Sequence, residues 1–104
     1  MRARLLYRLR REYEDGAILE MRIWRVPKPV AGSLHPYKYR LFYGYPGRRL
    51  VGYDNERTKG DHRHCHGLQE AYRFKSPEAL IDDFLRDVLE ERVHDENRDH
   101  SDRA

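Results

Sequence analysis

The chain has one cysteine, Cys65, and therefore no internal disulfide. It has no run of about eighteen apolar residues, which excludes a membrane-spanning helix. Its first residues, Met1-Arg2-Ala3-Arg4-Leu5-Leu6-Tyr7-Arg8, lack the apolar segment of a secretory signal. A lone thiol without an export signal fits a reducing, cytoplasmic setting. Acidic residues are scarce in the first half: residues 1–50 hold four Asp/Glu against twelve Lys/Arg, and residues 51–104 hold fourteen against nine. A basic N-terminal half suits a polyanion, most simply nucleic acid, and equally suits the plainer alternative of a solvated basic surface. Internal repeats are absent as well. With 104 residues, 38% apolar and 38% charged, the chain suits one domain with a modest core.

Apolar residues recur with period two in the first half. Leu5, Tyr7, Leu9 and Tyr13 alternate with Leu6, Arg8, Arg10 and Glu12, and Leu19, Met21 and Ile23 alternate with Glu20, Arg22 and Trp24. Both stretches read as half-buried strands, 5–13 and 18–26, joined at Asp15-Gly16. A two-residue turn places Leu9 opposite Arg22 and mixes the faces. A three-residue loop over 15–17 places Leu9 opposite Ile23 and Tyr13 opposite Leu19, with Gly16 supplying a positive φ. Pro27 and Pro29 end the hairpin, because proline has no N–H for a ladder. Residues 30–36 read as a loop. Residues 37–45 form a third strand, with Tyr37, Tyr39, Leu41, Tyr43 and Tyr45 on one face and Lys38, Arg40 and Phe42 on the other. After the Pro46-Gly47 turn come a fourth strand over 48–53, a loop or irregular extension over 54–67 and a short fifth strand over 69–74.

Ser76-Pro77-Glu78 is a helix start: a capping hydroxyl, proline at the first helical position and an acid at the positive end of the dipole. Leu80, Ile81, Phe84, Leu85, Val88, Leu89 and Val93 follow at helical spacing, with Asp82, Asp83, Arg86, Asp87, Glu90 and Glu91 assigned to the solvent side. The predicted fold is α+β: an antiparallel, mostly meandering sheet of about five strands, with one C-terminal helix packed on the face of Leu19, Met21 and Ile23. Residues 1–93 make the domain, and 94–104, without an apolar pattern, read as a mobile tail. The opposite face then collects Arg8, Arg10, Arg22, Trp24, Lys38 and Arg40. An aromatic among basic residues suits single-stranded nucleic acid, through phosphate contacts and base stacking. The alternative is a second small core in which loop 28–36 covers Trp24 and Phe42.

Residues 53–66 (Tyr-Asp-Asn-Glu-Arg-Thr-Lys-Gly-Asp-His-Arg-His-Cys-His) concentrate three histidines, three acids, a lysine, two arginines and the thiol. On an extended backbone His62 and His64 point to the same side. Three readings are open. As a metal-independent ribonuclease site, His62 and His64 serve as base and acid, Lys59 or Arg63 as the cation for the phosphorane, and Asp54 or Asp61 as the group fixing a histidine tautomer. As a metal site, His62, His64 and Asp54 hold a divalent ion, although the spacing matches no strong zinc pattern. As a binding loop, the segment touches phosphate or a partner without chemistry. Sequence proximity to histidines does not make Cys65 a nucleophile.

The order of several pieces resembles the TumE-type toxins of prokaryotic toxin–antitoxin modules. These are Arg22-Ile23-Trp24-Arg25-Val26-Pro27, His35-Pro36-Tyr37-Lys38-Tyr39, Gly52-Tyr53-Asp54-Asn55, Lys59-Gly60-Asp61-His62-Arg63-His64, and Tyr72-Arg73-Phe74 before a helix with Leu80, Asp83 and Phe84. The resemblance spans residues 5–90. It implies a growth-inhibiting toxin with a helix-turn-helix antitoxin as partner, and by analogy with other small toxins an RNA target. Asp54, Lys59, His62 and His64 match the pattern, whereas Cys65-His66 departs from it. The expected function is an endoribonuclease toxin needing no cofactor, with a metal-dependent nuclease or a non-catalytic binding module as alternatives. Exposed sheet edges permit a homodimer.

Overall fold

The computed structural model describes residues 2–102, with side chains for residues 2–94. Six strands, β1 (Arg4–Glu12), β2 (Ile18–Arg25), β3 (Tyr37–Tyr45), β4 (Arg48–Glu56), β5 (Gly60–Cys65) and β6 (Leu68–Ala71), precede the helix α1 (Pro77–Asp102). The sheet is an antiparallel meander in the order β1 to β6. The α+β expectation holds, with one more strand. Residues 60–65 do not form the loop expected for 54–67; they turn back at Thr58, which has φ 70°, and pair with β4. The motif region is therefore a β-hairpin.

The first hairpin has a three-residue loop, but over residues 14–16. Tyr13 N–H donates to Ala17 O, and Gly16 has φ 89°. Leu9 consequently faces Met21, not Ile23. This two-residue slip keeps the same faces together, because side chains alternate with period two. A β-bulge between Leu5 and Tyr7 then changes the faces locally: Leu5 lies opposite Trp24, while Tyr7 lies opposite Ile23.

Leu19, Met21, Ile23, Tyr39, Leu41, Tyr43, Val51 and Tyr53 form the buried sheet face, closed by Leu80, Phe84 and Val88 of α1, which lies over β3 and β4. Burying Phe84 and its neighbours is the main stabilising contribution, at about 1.5–3 kcal/mol for each large side chain. Ser76 caps α1 as expected, its Oγ accepting from Ala79 N–H at 3.0 Å. The helix is rotated relative to the expected stripe: Asp87 and Glu91 are buried, and Leu85, Leu89 and Val93 are exposed. Asp87 tolerates burial because Tyr53 and Arg63 hydrogen-bond it. α1 also continues through part of the segment expected as a tail; residues 103 and 104 of that segment lie outside the described residues.

Candidate functional site

Alternation along β4 and β5 divides the motif between the two sheet faces. On the helix side, Tyr53 OH donates to Asp87 Oδ2 at 2.5 Å, and Arg63 donates to both Asp87 oxygens at 2.8 and 3.0 Å and to Glu70. Burial pushes the Asp87 carboxyl up, but the hydrogen bonds from Arg63 and Tyr53 outweigh it and leave the carboxyl below its ordinary value. Asp61 lies on this side too, accepting from Ser33 Oγ at 2.5 Å and Tyr39 OH at 2.7 Å and meeting His35 Nε2 at 2.6 Å. The His35 ring stacks on Phe74 with centroids 3.8 Å apart. Asn55 joins Ser33 Oγ and the backbone of Tyr37 and Tyr39. Asp61 thus orients His35, not His62 or His64, and ties loop 26–36 to β5. Gly32 and Gly60 make that union possible: both have positive φ, and a Cβ on Gly32 would come within 2.8 Å of Gly60 N.

The open side carries Asp54, His62 and His64. Asp54 pairs with His62 across β4 and β5, and Asp54 Oδ1 lies 3.8 Å from His64 Nε2. The two imidazoles are side by side, with centroids 6.5 Å apart. Arg49 donates to His64 Nδ1 at 2.9 Å. Because arginine only donates, Nδ1 is the acceptor and the neutral ring carries its proton on Nε2, toward Asp54. Burial first, and Arg49 second, hold the His64 pKa below the ordinary histidine value against the pull of Asp54. His62 Nδ1 meets Gln69 Nε2 at 3.2 Å, and its Nε2 is buried and makes no hydrogen bond among the described residues.

Asp54 and Arg49 line an open cleft of about 690 Å³ together with Lys38, Arg40 and Arg57 and with Pro29, Val30 and Ala31 of the loop before β3. The strand register extends the site into a line. Arg8, Arg22, Arg40, Asp54 and His62 are successive cross-strand partners from β1 to β5, spanning roughly 19 Å at the usual strand spacing. Among the described residues none of these three arginines forms an ion pair. Like charges directly opposite one another destabilise a sheet, so the fold carries this row at a cost. Trp24 lies on the same face, partly buried, with the Lys38 ammonium 6.0 Å from its ring centre.

Other sequence-derived candidates are placed elsewhere. Arg63 faces α1 and is neutralised there. Arg10 is engaged by Glu12 and Glu20. Lys59 sits at the β4–β5 turn, 3.3 Å from Glu56, and lines a separate cleft of about 590 Å³ with His62 and Arg73. Cys65 turns to the helix side, where burial pushes its thiol up and makes a thiolate scarcer. His66, with φ 53°, occupies the β5–β6 turn beside Glu91. Among the described residues no three His, Cys, Asp or Glu side chains converge to hold a metal ion, so His62, His64 and Asp54 do not form a ready ligand set. Among the described residues no helix is long and apolar enough to cross a membrane.

A family model described as Toxin TumE matches residues 2–93, which include the whole sheet and most of the helix. The chain belongs to the TumE toxin family. Membership makes it the toxin component of a toxin–antitoxin system. No curated protein and no solved structure matches the toxin.

Sequence reasoning overlooked Arg49 and Asp87 in this TumE-family toxin. Asp87 carried a weak signal, as an acid one residue from the apolar positions of α1. Arg49 carried one only jointly with Gly52, which pairs with His64. A Cβ on Gly52 would meet Arg49 Cδ at 2.6 Å, so the missing side chain is the space through which Arg49 reaches the ring.

Proposed function

We propose that the toxin cleaves single-stranded RNA at the His62–His64 pair without a metal ion. The observation carrying this reading is the unpaired row Arg8–Arg22–Arg40, which leads across the sheet to Asp54 and the two histidines. Arginines in file offer charge to a phosphate backbone, and Trp24 offers a surface on which a base can stack. The chemistry needs no external nucleophile. The RNA 2′-oxygen attacks its own phosphorus, and the bond from phosphorus to the 5′-oxygen breaks.

His64 is the base. Its depressed pKa keeps it neutral at neutral pH, and Arg49 covers its Nδ1 in the free protein. A phosphate arriving in the cleft draws Arg49 to itself, which exposes Nδ1 to take the 2′-hydroxyl proton and places a cation on the developing phosphorane charge. His62, whose buried Nε2 has no hydrogen-bond partner among the described residues, gives its proton to the leaving 5′-oxygen once the ring turns that atom outward. Asp54, 3.8 Å from His64 Nε2, stabilises the His64 imidazolium once it has taken the proton. Arg49 takes the part assigned from sequence to Lys59. The partners on this reading are RNA and a cognate helix-turn-helix antitoxin, met in the cytoplasm.

The test is cleavage of an RNA oligonucleotide by the purified chain in excess EDTA. Products ending in 2′,3′-cyclic phosphate are expected, with cleavage undiminished. Loss of cleavage in EDTA, restored by a divalent ion, replaces this mechanism with metal-assisted hydrolysis. Tight RNA binding without any cleavage leaves a binding module in its place.

A further inference from the structure

One long edge of the sheet is uncovered. β1 is exposed along its whole length, and as the outer strand it presents backbone N–H and C=O groups that have no sheet partner. Leu6, Tyr7 and Leu9 are 38–43% exposed. Leu6 and Tyr7 border a groove of about 450 Å³ whose other walls include Ile23, Tyr37 and Ile81. Leu85 and Leu89 continue from Ile81 at four-residue steps along α1 and are also exposed, at 40% and 64%. Near the other end of β1 the Arg92 guanidinium lies 3.8 Å from the Tyr13 ring centre and 3.3 Å from Asp15. The groove and the exposed leucines of β1 and α1 leave apolar surface uncovered on both elements. β6, the opposite edge, has four residues; its Glu70 is held by Arg63, and Leu68 is its one exposed large apolar side chain.

Charge selects the occupant. β1 carries Arg4, Arg8, Arg10 and Arg11 against Glu12 alone. A second copy pairing there brings two net-positive strands together, which is unfavourable, and edge cations with a bulge are devices that keep a strand from its own kind. An acidic strand meets no such barrier. We propose that β1 is the docking edge for an extended acidic segment of the cognate antitoxin, which adds as a seventh strand. The pleat dictates its pattern: alternate side chains are apolar and lie over Tyr7 and Leu9, and those between are Asp or Glu, the central one facing Arg8, which has no ion pair of its own among the described residues. The acidic residues then sit at the outer end of the arginine row, so docking neutralises the face that holds RNA. The docking rests on the toxin's having an antitoxin and does not require RNA cleavage.

Hydrogen–deuterium exchange of the full chain, alone and with its co-purified antitoxin, tests the assignment. Amides of residues 4–12 exchange at least about tenfold more slowly in the complex, and those of β6 do not change. Protection at β6 or over the histidine face, with β1 unchanged, overturns it. Slowing at β1 in the chain alone as its concentration rises gives the edge to a second copy and also overturns it. The Tyr7→Asp/Leu9→Asp double variant inhibits growth as the parent does but binds the antitoxin at least about tenfold more weakly, a difference of about 1.4 kcal/mol; undiminished binding refutes the proposal. If that variant does not fold, the exchange measurement on the unaltered chain decides. Failure of RNA cleavage is read separately, because neither exchange nor antitoxin affinity depends on it.

Discussion

The two faces of the β4–β5 hairpin are built from alternate residues of one segment, yet they treat polar groups oppositely. On the helix face Tyr53, Asn55, Asp61 and Arg63 all have partners, several at 2.5–3.0 Å, supplied by loop 26–36 and α1. On the open face three arginines stand in file without ion pairs among the described residues, and the His62 ring set into that face keeps a buried Nε2 without a hydrogen bond there. Paired groups cost little to bury and hold the fold together. Unpaired like charges in a row weaken it slightly and await a ligand of opposite charge. The helix face is therefore where substitutions should unfold the toxin, and the open face is where they should disarm it.

The largest expected effect tests the open face. His62→Ala and His64→Ala should each lower RNA cleavage by about 10²–10⁴-fold, while urea denaturation shows stability within about 0.5 kcal/mol of the parent. If both variants unfold, or if both still cleave and inhibit growth, the division of labour between the faces fails.

Asp87→Ala tests the helix face. It leaves Arg63 and Tyr53 without their acceptor and should cost about 3 kcal/mol of folding stability by urea denaturation, at the low end for a buried pair because Arg63 is partly exposed. The pH dependence has a definite sign. The folded Asp87 carboxyl titrates below its ordinary value of 3.8, so its stabilisation is complete above that pH and fades as pH falls through the folded value. Asp87→Ala should therefore lessen the loss of stability on acidification. An unchanged acid profile would show that this ion pair does not govern it.

Arg22→Gln, in the middle of the row, should separate binding from stability most directly. RNA affinity falls, and the slope of log affinity against log salt becomes less steep by about 0.7 for the lost phosphate contact. Folding stability rises by about 0.2–1 kcal/mol as repulsion from Arg8 and Arg40 is relieved. A loss of stability would mean that the row is structural.

Gly52→Ala gives the smallest effect. The new Cβ displaces the Arg49 side chain from His64 without backbone strain, since Gly52 does not have a positive φ. Removing that cation lets the His64 pKa rise, although burial, the larger cause, persists. The acid limb of the cleavage profile should move to higher pH. A limb that stays in place would remove Arg49 from its assigned position.

Local chemistry made most of the fold readable. Ser76-Pro77 marks the helix start because a capping hydroxyl and a fixed φ act within one turn. The alternation of β2 and β3 marks the core face because each side chain's direction follows from the pleat. The same periodicity puts His62 and His64 on one side of an extended backbone, and the strand register then sets them in line with Arg22 and Arg40. Residues 60–65 were misread because their apolar content is too low to announce a strand; what orders them is pairing with β4 and the union of Gly32 with Gly60. Leu9 meets Met21 and not Ile23 because moving a three-residue loop by one position shifts the register by two residues without changing any face.

Sequence by itself determined the α+β meander, the capped helix, the basic open face and the shared side of the two histidines, all consequences of spacing along the chain. Tertiary structure alone decided that Asp61 serves His35, that Asp87 is buried by Arg63 and Tyr53, that Arg49 reaches His64 across Gly52, and that β1 stands uncovered. These facts depend on which residues meet across the sheet and under the helix, and long-range pairing is set by register, loop closure and packing, which no local pattern encodes.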